Sequence, residues 1–200
     1  MLSIGITEEH LDPRIRRTRH MLRTALVSLL QEKPFDEISV QDISERSTVN
    51  RATFYDHYAD KSALVEDLVR QQFVEFLQAR EVHFDGTCPS AARTLILSVC
   101  DFLVQVHGKC QKGQRHFEPF VQSTIQQVLE KILLGGITKE HLRDGVEPAL
   151  AATATSWTIY GTSIQWLNME NRPDIESFAD SVFHLIQPML SSVDIPALQR

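Results

Sequence analysis

Apolar positions in this 200-residue chain recur at intervals of three and four from near residue 13 to near residue 190, and period-two alternation is nearly absent. That spacing lines apolar side chains along one face of successive helices and predicts an all-α protein. A first helix is expected over residues 13–33. Met21, Leu22, Ala25, Leu26, Leu29 and Leu30 form its apolar stripe. Pro13 suits a first turn, where its missing N–H has no helical partner, and Pro34 stops the helix.

A short second helix should start after Ser39, with Asp42 at the return position of a capping box and Val40, Ile43 and Ser47 facing inward, and should end near residue 46. Ser47-Thr48-Val49 reads as a tight turn. A third short helix follows over about residues 50–58, broken by Ala59-Asp60-Lys61, with Asp60 capping a fourth. Leu64, Val65, Leu68, Val69, Phe73, Phe76 and Leu77 give that fourth helix its stripe, to residue 80. Residues 81–88 lack periodicity and contain Gly86, so a domain boundary is placed there. Further helices are expected over 89–107, 118–134, 148–169 and 175–190, with Gly108 and Gly135-Gly136 as stops, Asp174 as a cap, and shorter pieces near 107–117 and 138–143. The predicted organisation is a domain at 13–60, a connecting helix at 61–80 and a helical domain at 81–192.

Charge adds a local feature. The formal net charge is -6, against a general affinity for nucleic acid. Yet residues 13–33 carry Arg14, Arg16, Arg17, Arg19, Arg23 and Lys33 against Glu32 alone. A basic segment on an acidic body fits a protein that touches phosphate with one small surface; a solvated helix face is the plainer reading. Cys88, Cys100 and Cys110 are odd in number and lack metal-type pairing, which suits a reducing compartment. No apolar run is expected to approach the roughly 20 residues of a membrane-spanning helix, and residues 1–12 do not read as a signal peptide. A soluble, cytoplasmic protein with no membrane association is expected.

Two short helices joined by a tight turn and packed on a longer first helix make a helix-turn-helix, with its motif at about 39–58. The second short helix is then the one sized for the DNA major groove. Arg51 can donate two hydrogen bonds to guanine, and Thr53 offers a hydroxyl or a methyl. Tyr55, His57, Tyr58 and Lys61 can reach phosphate oxygens, with Ser39 and Asn50 at the helix starts, while Ala52 and Phe54 are expected to face the core.

Residues 18–61 resemble the TetR/AcrR family of bacterial regulators. The matching pieces are the first helix ending in Lys33-Pro34-Phe35, then Ile38-Ser39-Val40-Gln41-Asp42-Ile43, then Asn50-Arg-Ala-Thr-Phe-Tyr-Asp-His-Tyr-Ala-Asp-Lys61. One departure is the turn: the family usually has Ala-Gly-Val where this chain has Ser47-Thr48-Val49, and threonine tolerates positive φ poorly.

The resemblance implies a ligand-responsive repressor that binds a near-palindromic operator in double-stranded DNA as a homodimer, with reading helices about 34–36 Å apart. It also implies dimerisation through the last two helices. Independently, Ala151, Ala152, Ala154 and Gly161 beside Trp157, Ile164 and Leu167, and the apolar face Ile175, Phe178, Val182, Phe183, Ile186 and Met189, fit a bundle seam or a monomer's own core. The family's second domain usually holds a small-molecule effector. Aromatics with polar tips suit such a pocket, which makes Phe102, His107, Phe117, Trp157, Tyr160 and Trp166 candidates; plain core is the alternative for each.

Relatives of this type include co-activators that act through a protein partner, so a co-activator or protein-interaction member of the family that does not act as a simple repressor is the alternative function. No Ser-His-Asp arrangement, glycine-rich phosphate loop or His-Glu-x-x-His appears, so an enzyme is not expected, nor is a cofactor. His107, Cys110 and His116 match no ordinary zinc spacing, and interleaved Lys109, Lys112 and Arg115 point to a solvated loop without metal.

Overall fold

A computed structural model describes residues 12–82, 84, 88–109, 118–143 and 145–190. Among the described residues there are eight α-helices and no strand. They are α1 (Pro13–Leu30), α2 (Val40–Ser47), α3 (Arg51–His57), α4 (Lys61–Ala79), α5 (Pro89–Lys109), α6 (Glu118–Gly136), α7 (Pro148–Leu167) and α8 (Ile175–Leu190), with single 3-10 turns at Phe35–Glu37 and Lys139–His141. The all-α expectation and the helix order hold.

Local chemistry accounts for the helix starts. The Asp12 carboxylate accepts from the Arg14 backbone N–H at 2.7 Å, and Pro13 opens α1. Asp60 accepts from the Ala63 N–H at 2.9 Å at the start of α4. Asp174 accepts from the Ser177 N–H at 3.0 Å at the start of α8, and those bonds hold its carboxyl below the usual range. α1 ends three residues earlier than expected, because the chain turns at 31–33 before Pro34 rather than at it. Glu81, at φ 51°, follows the end of α4, and the Val82 N–H reaches back to the Leu77 carbonyl at 3.2 Å.

The described residues pack as two compact units. The first holds α1 to α3, α4 as far as Val74, and the opening of α6 as far as Thr124. The second holds the rest of α4 from Glu75, α5, α6 from Ile125, α7 and α8. The core of the first unit contains Leu22, Leu26, Phe35, Ile38, Ile43, Phe54, Leu64, Val65 and Phe73, all at most 5% exposed. Phe35 meets Phe120 edge-on at 6.1 Å. In the second unit, Leu95, Ile96, Val99, Leu103, Ile125, Leu129, Leu133, Ile159 and Ile186 are fully buried. Arg93 pairs with both Glu176 and Asp180, tying α5 to α8.

One expectation needs correcting. Pro89–His107 is long and apolar enough to cross a membrane by length and composition. It reaches that level because α5 is a core helix: Ala92, Leu95, Ile96, Val99, Cys100, Phe102 and Leu103 are buried against the protein, and Arg93 and Asp101 are ion-paired at its surface.

Candidate nucleic-acid interface

Three short segments hold α3 in place. The first is the cap of α2. The Ser39 hydroxyl accepts from the Asp42 N–H at 3.1 Å, while the Asp42 carboxylate accepts from the Ser39 N–H at 2.7 Å and from its hydroxyl at 2.6 Å. These bonds, with Lys33 at 3.1 Å, hold the Asp42 carboxyl far below its ordinary value. The second is the turn. Thr48 sits in the left-handed region at φ 58°, ψ 24°, and the Val49 N–H reaches back to the Ser44 carbonyl at 3.1 Å. The backbone therefore takes the shape that glycine would favour, with threonine in it. The third is Asn50, whose side-chain oxygen accepts from the Ala52 N–H at 2.9 Å and caps α3. On the flank, Arg46 grips both oxygens of Glu32 at 2.8 and 2.7 Å and also donates to Ser28, fastening α2 to α1.

Seven residues of α3 then divide by angle. Phe54 is 0% exposed and pins the helix. Arg51, Ala52, Tyr55 and Asp56 are exposed on the far side, and Thr53 and His57 lie half-buried at the edges. Ala52 was expected in the core with Phe54. The two are two residues apart, about 160° around the helix on the shorter side, so one face cannot hold both. Asp56 went unremarked in the sequence, although the same geometry puts it on the open face.

Two residues expected at phosphate are engaged inside the unit. Tyr58 is 6% exposed, and its hydroxyl donates to Asp67 at 2.6 Å. Burial, then that hydrogen bond, pushes its ionisation well above the usual tyrosine value. The Lys61 ammonium donates to the carbonyls of Phe35, Asp36 and Ile38 at 2.9, 3.2 and 2.8 Å and lies 4.5 Å from the Phe35 ring centre. An ammonium has three protons, and all three are spent. The Ser39 hydroxyl is likewise occupied in its cap. Of the basic residues at 13–33, Arg23 pairs with Asp67, Lys33 with Asp42, and Arg19 lies over the Tyr58 ring at 5.7 Å, whereas Arg14, Arg16 and Arg17 are exposed.

The six effector candidates also separate. Phe117 lies outside the described residues, as do Cys110 and His116 of the discounted metal spacing. Trp157 is 55% exposed and His107 is exposed. Trp166 is buried, but its indole N–H donates to the Pro173 carbonyl at 2.9 Å and its ring stacks on Phe178 at 5.6 Å. Phe102 and Tyr160 are buried within the second unit. The sequence reading missed the polar atoms there. The Thr155 hydroxyl and the Gln126 side-chain nitrogen are buried without a hydrogen-bond partner among the described residues. Cys100, buried beside Ser163 at 3.3 Å, has its thiol pushed up to about 11 by burial and is not a reactive thiolate.

The helices around α3 are those that known proteins share. Residues 22–68 match the family model described as bacterial regulatory proteins, tetR family. Over 71 residues the chain is 38% identical to the uncharacterized HTH-type transcriptional regulator YxbF of Bacillus subtilis (strain 168). That stretch is 35% of this chain and 19% of that protein, so the likeness spans about a fifth of the curated relative. In fold, a TetR-family regulator from Streptomyces coelicolor A3 aligns with a TM-score of 0.62 at 18% identity, covering 90% of this chain and 98% of that one. Thermus thermophilus FadR, a TetR-family transcriptional repressor solved in complex with lauroyl-CoA, aligns with a TM-score of 0.52 at 16% identity, covering 91% and 100%. The capped α2, the left-handed turn and the pinned α3 all fall within residues 22–68, the segment that matches the tetR family model.

Proposed function

We propose that this protein is a DNA-binding transcriptional regulator that reads a near-palindromic operator as a homodimer and loses affinity for it when a small molecule binds the second unit. The observation that carries the DNA reading is the open face of α3. Arg51, Tyr55 and Asp56 make no side-chain hydrogen bond or ion pair among the described residues, on a helix whose other side is locked by Phe54. Side chains free of internal bonds on a rigid support are what base-edge recognition needs. Arg51 serves guanine, the Ala52 methyl suits thymine, and Tyr55, His57 and Asn50 serve the adjoining backbone, with Thr53 at the edge. Exposed Arg14, Arg16 and Arg17 add positive charge for phosphate. A regulator that reads bacterial operator DNA would work in the cytoplasm, where that DNA is.

Support for a dimer comes from α7 and α8. Leu150, Ala154, Trp157 and Gly161 follow one another at spacings of four, three and four, on one stripe of α7. Leu150 and Trp157 are 65% and 55% exposed, and a Cβ on Gly161 would meet nothing in its own chain. On α8, Leu185 is 59% and Met189 38% exposed. Apolar side chains in a row on adjacent helices mark a surface that a second copy covers. Trp157 therefore moves from the effector set to this seam. The effector reading rests on the buried aromatics Phe102 and Tyr160 and on the buried, unpaired Thr155 hydroxyl and Gln126 nitrogen, all in the second unit, residue types that suit a mostly apolar ligand with a few polar groups.

Selection of duplexes from a randomised library by the purified protein tests the proposal. A two-half-site sequence is expected, bound with an affinity that falls steeply with salt. Arg51→Ala and Tyr55→Ala should each weaken binding to the selected duplex by about 1–3 kcal/mol at unchanged melting temperature. If no sequence is enriched at low salt, the proposal is wrong.

A further inference from the structure

The Tyr58 hydroxyl and the Arg23 guanidinium converge on a single oxygen of Asp67, at 2.6 and 2.8 Å. The three residues come from three elements. Arg23 lies in α1, Tyr58 closes α3, and Asp67 lies in the second turn of α4. The node is sheltered: the side chains of Arg23 and Asp67 are 9% and 16% exposed, and Tyr58 is 6% exposed. Arg19, one turn before Arg23, covers the Tyr58 ring, and Phe54 meets that ring at 5.9 Å.

We infer that Asp67 is a positioning residue for DNA reading, whose one carboxylate oxygen fixes the pose in which α3 meets DNA by holding Tyr58 and Arg23 together. This rests on the proposed DNA-binding function. α3 is seven residues long, about 10 Å. Its first turn is closed by the Asn50 cap, a bond internal to the helix, while its middle is held to the unit by Phe54 and its C-terminal end by Tyr58. Without that hydrogen bond the end that carries Tyr55 and His57 is held only by packing of the Phe54 and Tyr58 rings, which is less directional and permits small tilts. Base-edge hydrogen bonds weaken steeply outside a window of about half an ångström, whereas attraction to phosphate changes slowly with distance. Loss of the node should therefore cost sequence-specific binding and spare non-specific binding. A residue that served only stability would not separate the two.

The test uses the full-length protein, the duplex that the unaltered protein selects from a randomised library, and a scrambled duplex of the same composition. Tyr58→Phe removes one donor and leaves the Arg23–Asp67 pair, and Asp67→Asn removes the charge while keeping the shape. Each should lower the ratio of specific to non-specific affinity by about tenfold, measured well below each variant's melting temperature. Because both act through one node, the double variant should lose less than the product of the two single effects. If Asp67→Asn does not fold, Tyr58→Phe alone decides. A ratio equal to that of the unaltered protein, whatever the change in melting temperature, overturns the inference. An unaltered protein that selects no sequence overturns the DNA-binding reading itself, a result distinguishable from the first because it precedes any substitution.

Discussion

Threonine in a left-handed turn should make Thr48→Gly a stabilising change. Thr48 lies at φ 58°, ψ 24°, and its side chain is exposed, so glycine forfeits no packing. A non-glycine residue in this region costs about 1–2 kcal/mol, toward the upper end for a β-branched side chain. Glycine removes that cost, but its freer unfolded chain gives back about 0.5–1 kcal/mol. The balance is a gain of about 0.5–1 kcal/mol, or roughly 1–4 °C in melting temperature for a chain of this size. The bonds that shape the turn, Thr48 N–H to Glu45 O at 3.3 Å and Val49 N–H to Ser44 O at 3.1 Å, are backbone bonds and survive the change. Thermal and urea unfolding followed by circular dichroism measures the gain. Thr48→Asn should capture part of it, since asparagine tolerates this region, and Thr48→Val should capture none. A glycine variant less stable than the threonine protein, with asparagine no better, would refute the assignment of strain to this backbone. Operator affinity should be unchanged, because the turn keeps its shape.

Three further outcomes are expected. Phe54→Ala empties the centre of the first unit and should cost about 3–5 kcal/mol in urea unfolding; a loss below about 1 kcal/mol would mean that Phe54 does not pin α3. Asp42 titrates below its ordinary 3.8 because the Ser39 side chain, the Ser39 N–H and Lys33 favour its charged form. With the folded value depressed, its contribution is complete above 3.8 and is lost as pH falls through the folded value. The stability gap between the unaltered protein and Asp42→Ala should thus be flat near neutrality and narrow in acid, whereas a gap independent of pH would point away from the carboxylate. Trp157→Arg, at the centre of the exposed α7 row, should yield monomers in sedimentation velocity with the far-ultraviolet spectrum retained; a variant that still sediments as a dimer would displace the seam from α7.

Helix order was legible in the sequence because each helix carries its own punctuation. Asp12, Ser39, Asn50, Asp60 and Asp174 are local caps, recognisable without any tertiary information, and all five close the bonds that such residues close. Helix ends were less legible. α1 stops before Lys33 and α6 runs to Gly136, because C-termini depend on where the chain must turn to reach its next partner. The outward face of α7 was legible only in part: small residues beside Trp157 suggested a seam, but apolar, Thr and Ser residues are mixed around the helix, and only the packed structure separates buried Ala152, Ile159 and Tyr160 from exposed Leu150 and Trp157.

The candidate interface shows a sharper division between what a motif encodes and what a site does. The aromatic and lysine spacing that makes residues 50–61 recognisable was first read as a set of phosphate anchors. Tyr58 and Lys61 instead bond inward, to Asp67 and to three carbonyls at Phe35, Asp36 and Ile38. A residue bound to several distant backbone or side-chain groups is constrained by the fold, so its identity and spacing stay fixed whatever DNA is read. A residue that the fold leaves unbonded can vary with whatever it meets outside. Arg51, Ala52, Tyr55 and Asp56 are exposed and make no side-chain hydrogen bond or ion pair among the described residues, Tyr55 keeping only an edge contact with the Phe54 ring. The residues most diagnostic of the fold therefore say least about DNA sequence; under the proposed function, sequence preference should follow substitutions at Arg51, Ala52, Tyr55 and Asp56, while changes at Tyr58 and Lys61 should weaken discrimination without changing which sequence is preferred.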